Sequence, residues 1–141
     1  MLVGALKAGV VFAVDLSRQT RILHHLDFVE IAGYAGGETG AHNQIRFLKD
    51  LDEEIEGRHV VLVEEVVDTG LTLNYLVRSF ALRNPASLQA CALFDRPYRR
   101  LVDDLPLAYV GFTIPDEFFV GYGFELGERY RNLPDLRLVR R

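Results

Sequence analysis

The apolar positions of the chain fall in short runs separated by polar and glycine-rich connectors. "LVGAL" (2–6) reads as a short buried strand, "KAG" as a turn, and "VVFAVDLSRQTRILHHL" (10–26) as a helix with Leu16, Ile22, Leu23 and Leu26 on its core-facing side. "DFVEIAGY" alternates in part, then meets "AGGETGAHNQ", whose three glycines and lack of bulky apolar residues indicate an exposed mobile loop. "IRFL" resumes strand character. After the polar connector "KDLDEEIEG", "HVVLVEE" (59–65) is apolar until its end, as a parallel strand covered on both faces should be. "TLNYLVRSFALR" is the following helix and "NPAS" stops it. "LQACALFD" is another buried strand, succeeded by the basic run "RPYRR", which reads as a solvated turn or a subunit contact. "LAYVGFTI", "FFVGYGFE" and "LRLV" are shorter strand candidates around "PDE" and "RYRNLPD".

Strand, helix, strand, helix, strand argues for an α/β fold: an open, mostly parallel twisted sheet flanked by helices, with right-handed crossovers. No repeat, low-complexity tract or second domain interrupts residues 1–141. In such sheets the ligand crevice lies beyond the carboxyl ends of the strands, and Glu64, Glu65 and Asp68 fall there. Period-two alternation sends the two glutamates to opposite faces unless the strand bends at its end. Their oxygens suit vicinal hydroxyls and Mg²⁺ or its bound waters.

"DTGLT" (68–72) adds the complementary chemistry. Gly70 permits a tight turn, the backbone N–H groups of residues 68 to 72 can converge on an anion, and Thr69 and Thr72 supply hydroxyls where the helix dipole favours negative charge. A phosphate fits this nest. "GxxxxGK" and "GxGxxG" are both missing, which argues against a P-loop triphosphatase and a Rossmann dinucleotide site. The ordinary alternative is that Asp68 and Thr72 cap a helix and the glutamates are solvated strand-end charges.

Composition narrows the setting. A chain of 141 residues can bury roughly 68% of its unfolded surface without metals or crosslinks. The single Cys91, inside an apolar run, reads as a small buried hydrophobe, and that cysteine usage fits a cytoplasmic location. "MLVGALKAGVVFAV" has no charged start and no small-residue cleavage site, and it is too short to span a bilayer, so no membrane partner is expected. The net charge of -4 disfavours a nonspecific nucleic-acid surface. His24, His25, His42 and His59 have no zinc-like spacing.

"VVLVEEVVDTGLTL" resembles the phosphoribosyl-diphosphate-binding motif of the hypoxanthine-guanine phosphoribosyltransferase family, with its type I phosphoribosyltransferase fold. "LKAG", "DLDEEIEGRHVVLVEEVVDTG", "YVGFTIPDEFFVGYG" and "ERYRNLP" match that family's segments in order across the chain. The resemblance implies one domain, with 33–46 as a flexible active-site loop and 112–141 contributing to a hood and base site. Family members usually carry a further helix and strand before "LVGALK", so either the protein dispenses with that segment or the sequence starts late, and a small, reduced hood is expected over residues 1–141.

The resemblance further implies that Glu64 and Glu65 hold the ribose 2'- and 3'-hydroxyls and, with Glu125, form the Mg²⁺ set. Asp68 would handle the proton at the purine, while Asp68, Thr69, Gly70, Leu71 and Thr72 wrap the 5'-phosphate. Lys7, Ala8 and Gly9 match the pyrophosphate-binding turn, and Arg131 adds a guanidinium fork. Phe118 would stack on the base, the Phe119 backbone would meet its Watson–Crick edge, and Arg96 would donate to its 6-oxo group. Tyr34 matches the aromatic of the lid.

Several positions depart from the family pattern. Ala8 replaces a Gly often found in a cis peptide, a bond that costs about 2.5–4 kcal/mol without proline. Glu65 and Glu125 stand for Asp, Arg96 and Glu117 for Lys, and Gly33 for Ser. The expected activity is Mg²⁺-dependent transfer of phosphoribosyl to hypoxanthine or guanine, giving IMP or GMP and pyrophosphate in purine salvage by a cytoplasmic homodimer or homotetramer. A noncatalytic nucleotide sensor and a xanthine-preferring transferase are the alternatives, with a plain structural domain ranked last.

Overall fold

The computed structural model describes residues 1–32 and 46–140. Strands β1 (Leu2–Ala5), β2 (Leu26–Ala32), β3 (Arg46–Lys49), β4 (His59–Val67), β5 (Ser87–Asp95) and β6 (Leu107–Thr113) form one sheet in the order β3-β2-β1-β4-β5-β6. β3 runs antiparallel to β2, and every other neighbouring pair is parallel. Helices α1 (Val10–Gln19) and α2 (Leu71–Ala81) cover opposite faces.

β4 shows why its apolar run is unbroken. Val60 and Leu62 join Leu73, Leu76 and Phe80 of α2 in the larger core, while Val61 and Val63 pack with Phe12, Ala13 and Leu16 of α1. Both faces are therefore occupied, as a central parallel strand demands. Burying each large side chain contributes about 1.5–3 kcal/mol, which fixes β4, and with it the acidic residues at its end, in the middle of the molecule. Cys91 is buried in β5 as expected.

Two sequence expectations need correction. The helix expected over 10–26 ends at Gln19: Thr20 turns extended and gives its hydroxyl to the Leu16 carbonyl at 2.8 Å. His24 then bridges Ser17 Oγ and the Ile22 carbonyl, both at 2.8 Å. Ile22 and Leu23 consequently face solvent, and Leu26 opens β2. Near the carboxyl terminus, "FFVGYGFE" and "LRLV" reduce to a two-residue pair, β7 (Phe119–Val120) and β8 (Arg137–Leu138), because Gly121 and Gly123 turn the chain at φ of 94° and 100°. This small hood stands over the carboxyl end of the sheet. Among the described residues, no helix is long and apolar enough to cross a membrane.

Candidate active site

β4 runs on to Val67, so Glu64 and Glu65 belong to the strand itself and are buried, with relative exposures of 8% and 2%. Both line one cavity of about 520 Å³, and Glu64 also opens into a second of about 400 Å³. Burial pushes Glu64 up to about pH 8. Glu65 is likewise pushed to about 8 by burial, against the attraction of Arg131 and with added repulsion from Glu64. Each keeps a buried Oε1 without a hydrogen-bond donor. Such an oxygen costs about 1–3 kcal/mol, more when charged, and invites a ligand bearing hydroxyls or positive charge.

The second cavity is walled by the loop from Asp68 to Gly70 and by Thr72. Gly70 has φ 82°, and a Cβ there would lie 2.9 Å from Leu105 Cδ1 and 3.1 Å from Arg100 Cδ. Gly70 starts α2 with no side-chain cap, the nearest substitute being a long 3.4 Å bond from Leu71 N–H to Thr69 Oγ1. Asp68 and Thr72 are therefore not ordinary caps, which removes that alternative. The first-turn amides are left for an anion, as phosphate-binding helix starts require.

Beyond Asp68 lies a third cavity, of about 630 Å³, lined by Phe118, Arg96, Arg99, Asp116 and Glu117. Arg96 Nη2 donates to the Glu117 carbonyl at 3.0 Å, and its Nη1 lies 3.7 Å from Asp68 and 3.8 Å from Asp116. Arg99 repeats the pattern at 3.4 and 3.9 Å, so two guanidinium groups and two carboxylates alternate around the passage between the cavities. Asp68 Oδ1 and Arg96 Nε are buried without partners. Arg100 pairs with Asp95 and donates to the Asp68 carbonyl at 3.2 Å, while Leu101 N–H reaches the Thr69 carbonyl at 2.9 Å. "RPYRR" is thus an exposed turn at Pro97, Tyr98 and Arg99 that also clamps the "DTGLT" loop through Arg100 and Leu101.

The hood lines one side of the first cavity with Phe124, Glu125, Glu128 and Arg131. Lys7 pairs with Glu128 at 3.2 Å, Glu128 with Arg131 at 3.4 Å, and Arg131 donates to the Gly123 carbonyl at 2.9 Å. Gly123 packs so tightly that a Cβ would collide with the Ala8 carbonyl and reach within 2.6 Å of Glu65 Oε1. Tyr122 ties this segment to α1, donating to Asp15 at 2.8 Å. The cis peptide is between Leu6 and Lys7, one residue before the position expected from Ala8.

Of the expected site residues, Lys7, Ala8, Gly9, Glu64, Glu65, Thr72, Glu125 and Arg131 share the first cavity, Asp68, Thr69 and Gly70 the second, and Arg96 and Phe118 the third. Leu71 begins α2 and Phe119 begins β7. Gly33 and Tyr34 lie outside the described residues. Glu64, Glu65 and Glu125 offer hard oxygens to one cavity. Among the described residues no three acidic, His or Cys side chains converge as a metal cage. Their oxygens suit Mg²⁺ by chemistry, but the three carboxylates alone do not make its site, and waters or substrate oxygens would have to supply the remaining ligands.

The pattern of the phosphoribosyl transferase domain family matches residues 1–125. A hypoxanthine phosphoribosyltransferase of Salmonella typhimurium is 44% identical over 134 residues, 95% of this chain and 74% of that protein. The chain belongs to the hypoxanthine-guanine phosphoribosyltransferase family. A hypoxanthine-guanine phosphoribosyltransferase of Mycobacterium avium is also 44% identical over 133 residues, 94% of this chain and 64% of its own length. Crystal structures of a family member from Bacillus anthracis (TM-score 0.89, 43% identity, 99% of this chain and 81% of that one) and of a hypoxanthine phosphoribosyltransferase from Staphylococcus aureus (0.90, 36%, 99% and 74%) share the fold.

Sequence reasoning about this family member missed Arg99, Gly123 and Glu128. Arg99 stood in plain view within "RPYRR", directly after a buried strand. Gly123 was signalled by the repeated glycines of "GYG". Glu128 had no local signal, since its partner Lys7 is 121 residues away.

Proposed function

We propose that this chain transfers the phosphoribosyl group of 5-phosphoribosyl 1-diphosphate to hypoxanthine or guanine, forming IMP or GMP and pyrophosphate in purine salvage. One observation carries the reading: three cavities in a row, the first two sharing Glu64 and Thr72 and the last two sharing Arg99, fit a diphosphate, a ribose phosphate and a planar base in that order. The roles of the individual residues belong to the same proposal.

Lys7 and Arg131 hold the diphosphate, so negative charge growing on the departing oxygen meets cations already in place. Glu64 and Glu65 accept hydrogen bonds from the ribose hydroxyls, which discharges their unpaired buried oxygens and fixes C1' in line with the base. The loop from Asp68 to Thr72 anchors the 5'-phosphate. As the bond from C1' to the diphosphate oxygen breaks, its electron pair leaves with pyrophosphate. A purine ring nitrogen forms the new bond from the opposite face, and Asp68 takes the proton the base must shed. Glu64, Glu65 and Glu125 would help to hold Mg²⁺ together with substrate oxygens, and the ion would supply positive charge to the diphosphate.

Phe118 stacks on the base, the Phe119 backbone reads its edge, and Arg96 donates to the 6-oxo oxygen. An aminopurine would present a donor to Arg96 and bind poorly. Arg96, Arg99 and Arg140 around the base cavity favour xanthine as a further acceptor, since it carries one more oxo group. The exposed apolar residues Tyr109, Val110 and Phe112 on edge strand β6 favour a homodimer or homotetramer, and a cytoplasmic enzyme is expected.

The test is a steady-state assay with phosphoribosyl diphosphate, Mg²⁺ and, separately, hypoxanthine, guanine, xanthine and adenine, following pyrophosphate and nucleotide. Turnover with 6-oxopurines and its loss on chelation support the proposal. A folded protein that binds IMP tightly without turnover is a sensor, and light scattering gives the assembly.

A further inference from the structure

Glu128 is engaged at both ends of the cation pair that faces the leaving group. Its carboxylate lies 3.2 Å from Lys7 and 3.4 Å from Arg131, and all three residues line the first cavity. The carboxylate is well exposed, at 66%. Pairs of that kind are weak and exchange readily with solvent. The backbone beneath is held separately: Glu128 N–H donates to Glu125 Oε2 at 2.6 Å. The side chain can therefore leave its cations without undoing the turn.

The turn itself does not call for a glutamate. Glu128 has φ 61°, a left-handed conformation in which glycine is favoured, and it follows Gly127 at φ 59°. An acid there, touching both cations of a cavity that also holds Glu64, Glu65 and Glu125, opposes any anion that enters.

We propose that Glu128 is a resident competitor for the diphosphate: it keeps Lys7 and Arg131 together while the site is empty, yields them to the incoming anion, and recaptures them as pyrophosphate leaves. The inference rests on the transfer reading, which assigns those cations to the diphosphate. Glu128 acts through Lys7 and Arg131 and so is a positioning residue, whose removal tightens pyrophosphate binding instead of weakening it.

The experiment titrates the full chain, and its Glu128→Gln and Glu128→Gly variants, with inorganic pyrophosphate in the presence of Mg²⁺. Calorimetry is combined with pyrophosphate product inhibition, and Glu54→Gln serves as a control that removes one remote exposed acid. Glycine suits φ 61°, so at least one variant keeps the turn. Both variants are expected to bind pyrophosphate roughly 3–10-fold tighter and to show a lower KM for phosphoribosyl diphosphate without a gain in kcat, while Glu54→Gln is unchanged. Equal or weaker binding in both variants, or the same gain in Glu54→Gln, overturns the competitor role and leaves the transfer reading standing. A wild-type chain that binds no pyrophosphate overturns both.

Discussion

Glu64 and Glu65 enter the crevice buried, each with a carboxylate oxygen that meets no donor, whereas Arg96, equally enclosed at the far end, already reaches a carbonyl and two carboxylates. The first arrangement is incomplete until a ligand brings hydroxyls or cations. The second has both Arg96 terminal nitrogens engaged beforehand, with only its Nε and Asp68 Oδ1 unpaired, and mainly fixes a direction. On the proposed reading, binding energy would be gathered at the sugar, through the unpaired Glu64 and Glu65 oxygens, and discrimination exercised at the base, where most of the Arg96 donors are already directed.

Asp68 joins the two ends, and its replacement is the strongest way to break the contrast. Asp68→Asn keeps the shape but loses the carboxylate proposed to take the proton and the pairing with Arg96 and Arg99. Steady-state kinetics should show kcat lower by roughly 10²–10⁴-fold, with binding of phosphoribosyl diphosphate largely kept.

Next in size is the pH response of the unpaired glutamates. Their folded values stand near 8 against about 4.5 when exposed, so the folded chain binds more protons than the unfolded one between those limits. Stability is fullest below about 4.5 and falls as pH rises towards 8. Denaturant unfolding from pH 5 to 8 should show this slope, Glu65→Gln should remove part of it, and phosphoribosyl diphosphate with Mg²⁺ should flatten it.

Gly123→Ala probes the hood over the same end. Its new Cβ meets the Ala8 carbonyl and Glu65 Oε1 at φ 100°, so unfolding should report a loss of about 1–3 kcal/mol together with a raised KM for phosphoribosyl diphosphate. The smallest effect belongs to the preset end. Arg96→Lys cannot reproduce a fork that spans Glu117, Asp68 and Asp116, and should change the ratio of kcat/KM for xanthine over hypoxanthine downwards by about 10-fold, leaving the KM for phosphoribosyl diphosphate unchanged.

The legibility of these parts in the chain follows the same divide between local and distant causes. β4, the "DTGLT" turn, α2 and β5 could be read because burial on two faces and a glycine turn each mark consecutive residues. Residues 20–26 misled because Ile22 and Leu23 continue a helical period that is ended by the Thr20 hydroxyl and by His24, neither a conventional stop. The hood strands misled because Gly121 and Gly123, at positive φ, interrupt an apolar run that otherwise reads as one strand. Glu128 was invisible for a related reason: an ion pair between distant segments has no period.

The clasp of Tyr122 on Asp15 and of Glu128 on Lys7 joins segments 107 and 121 residues apart. Loops of that length close late, and this one rests on a few polar contacts, buried Val120 and the Phe124 ring against Phe94, while the sheet is held by two apolar cores. Amide hydrogens of residues 119–131 should therefore exchange through local openings far more frequent than global unfolding. A protease finding this segment would extinguish catalysis while leaving behind a folded, spectroscopically ordinary sheet.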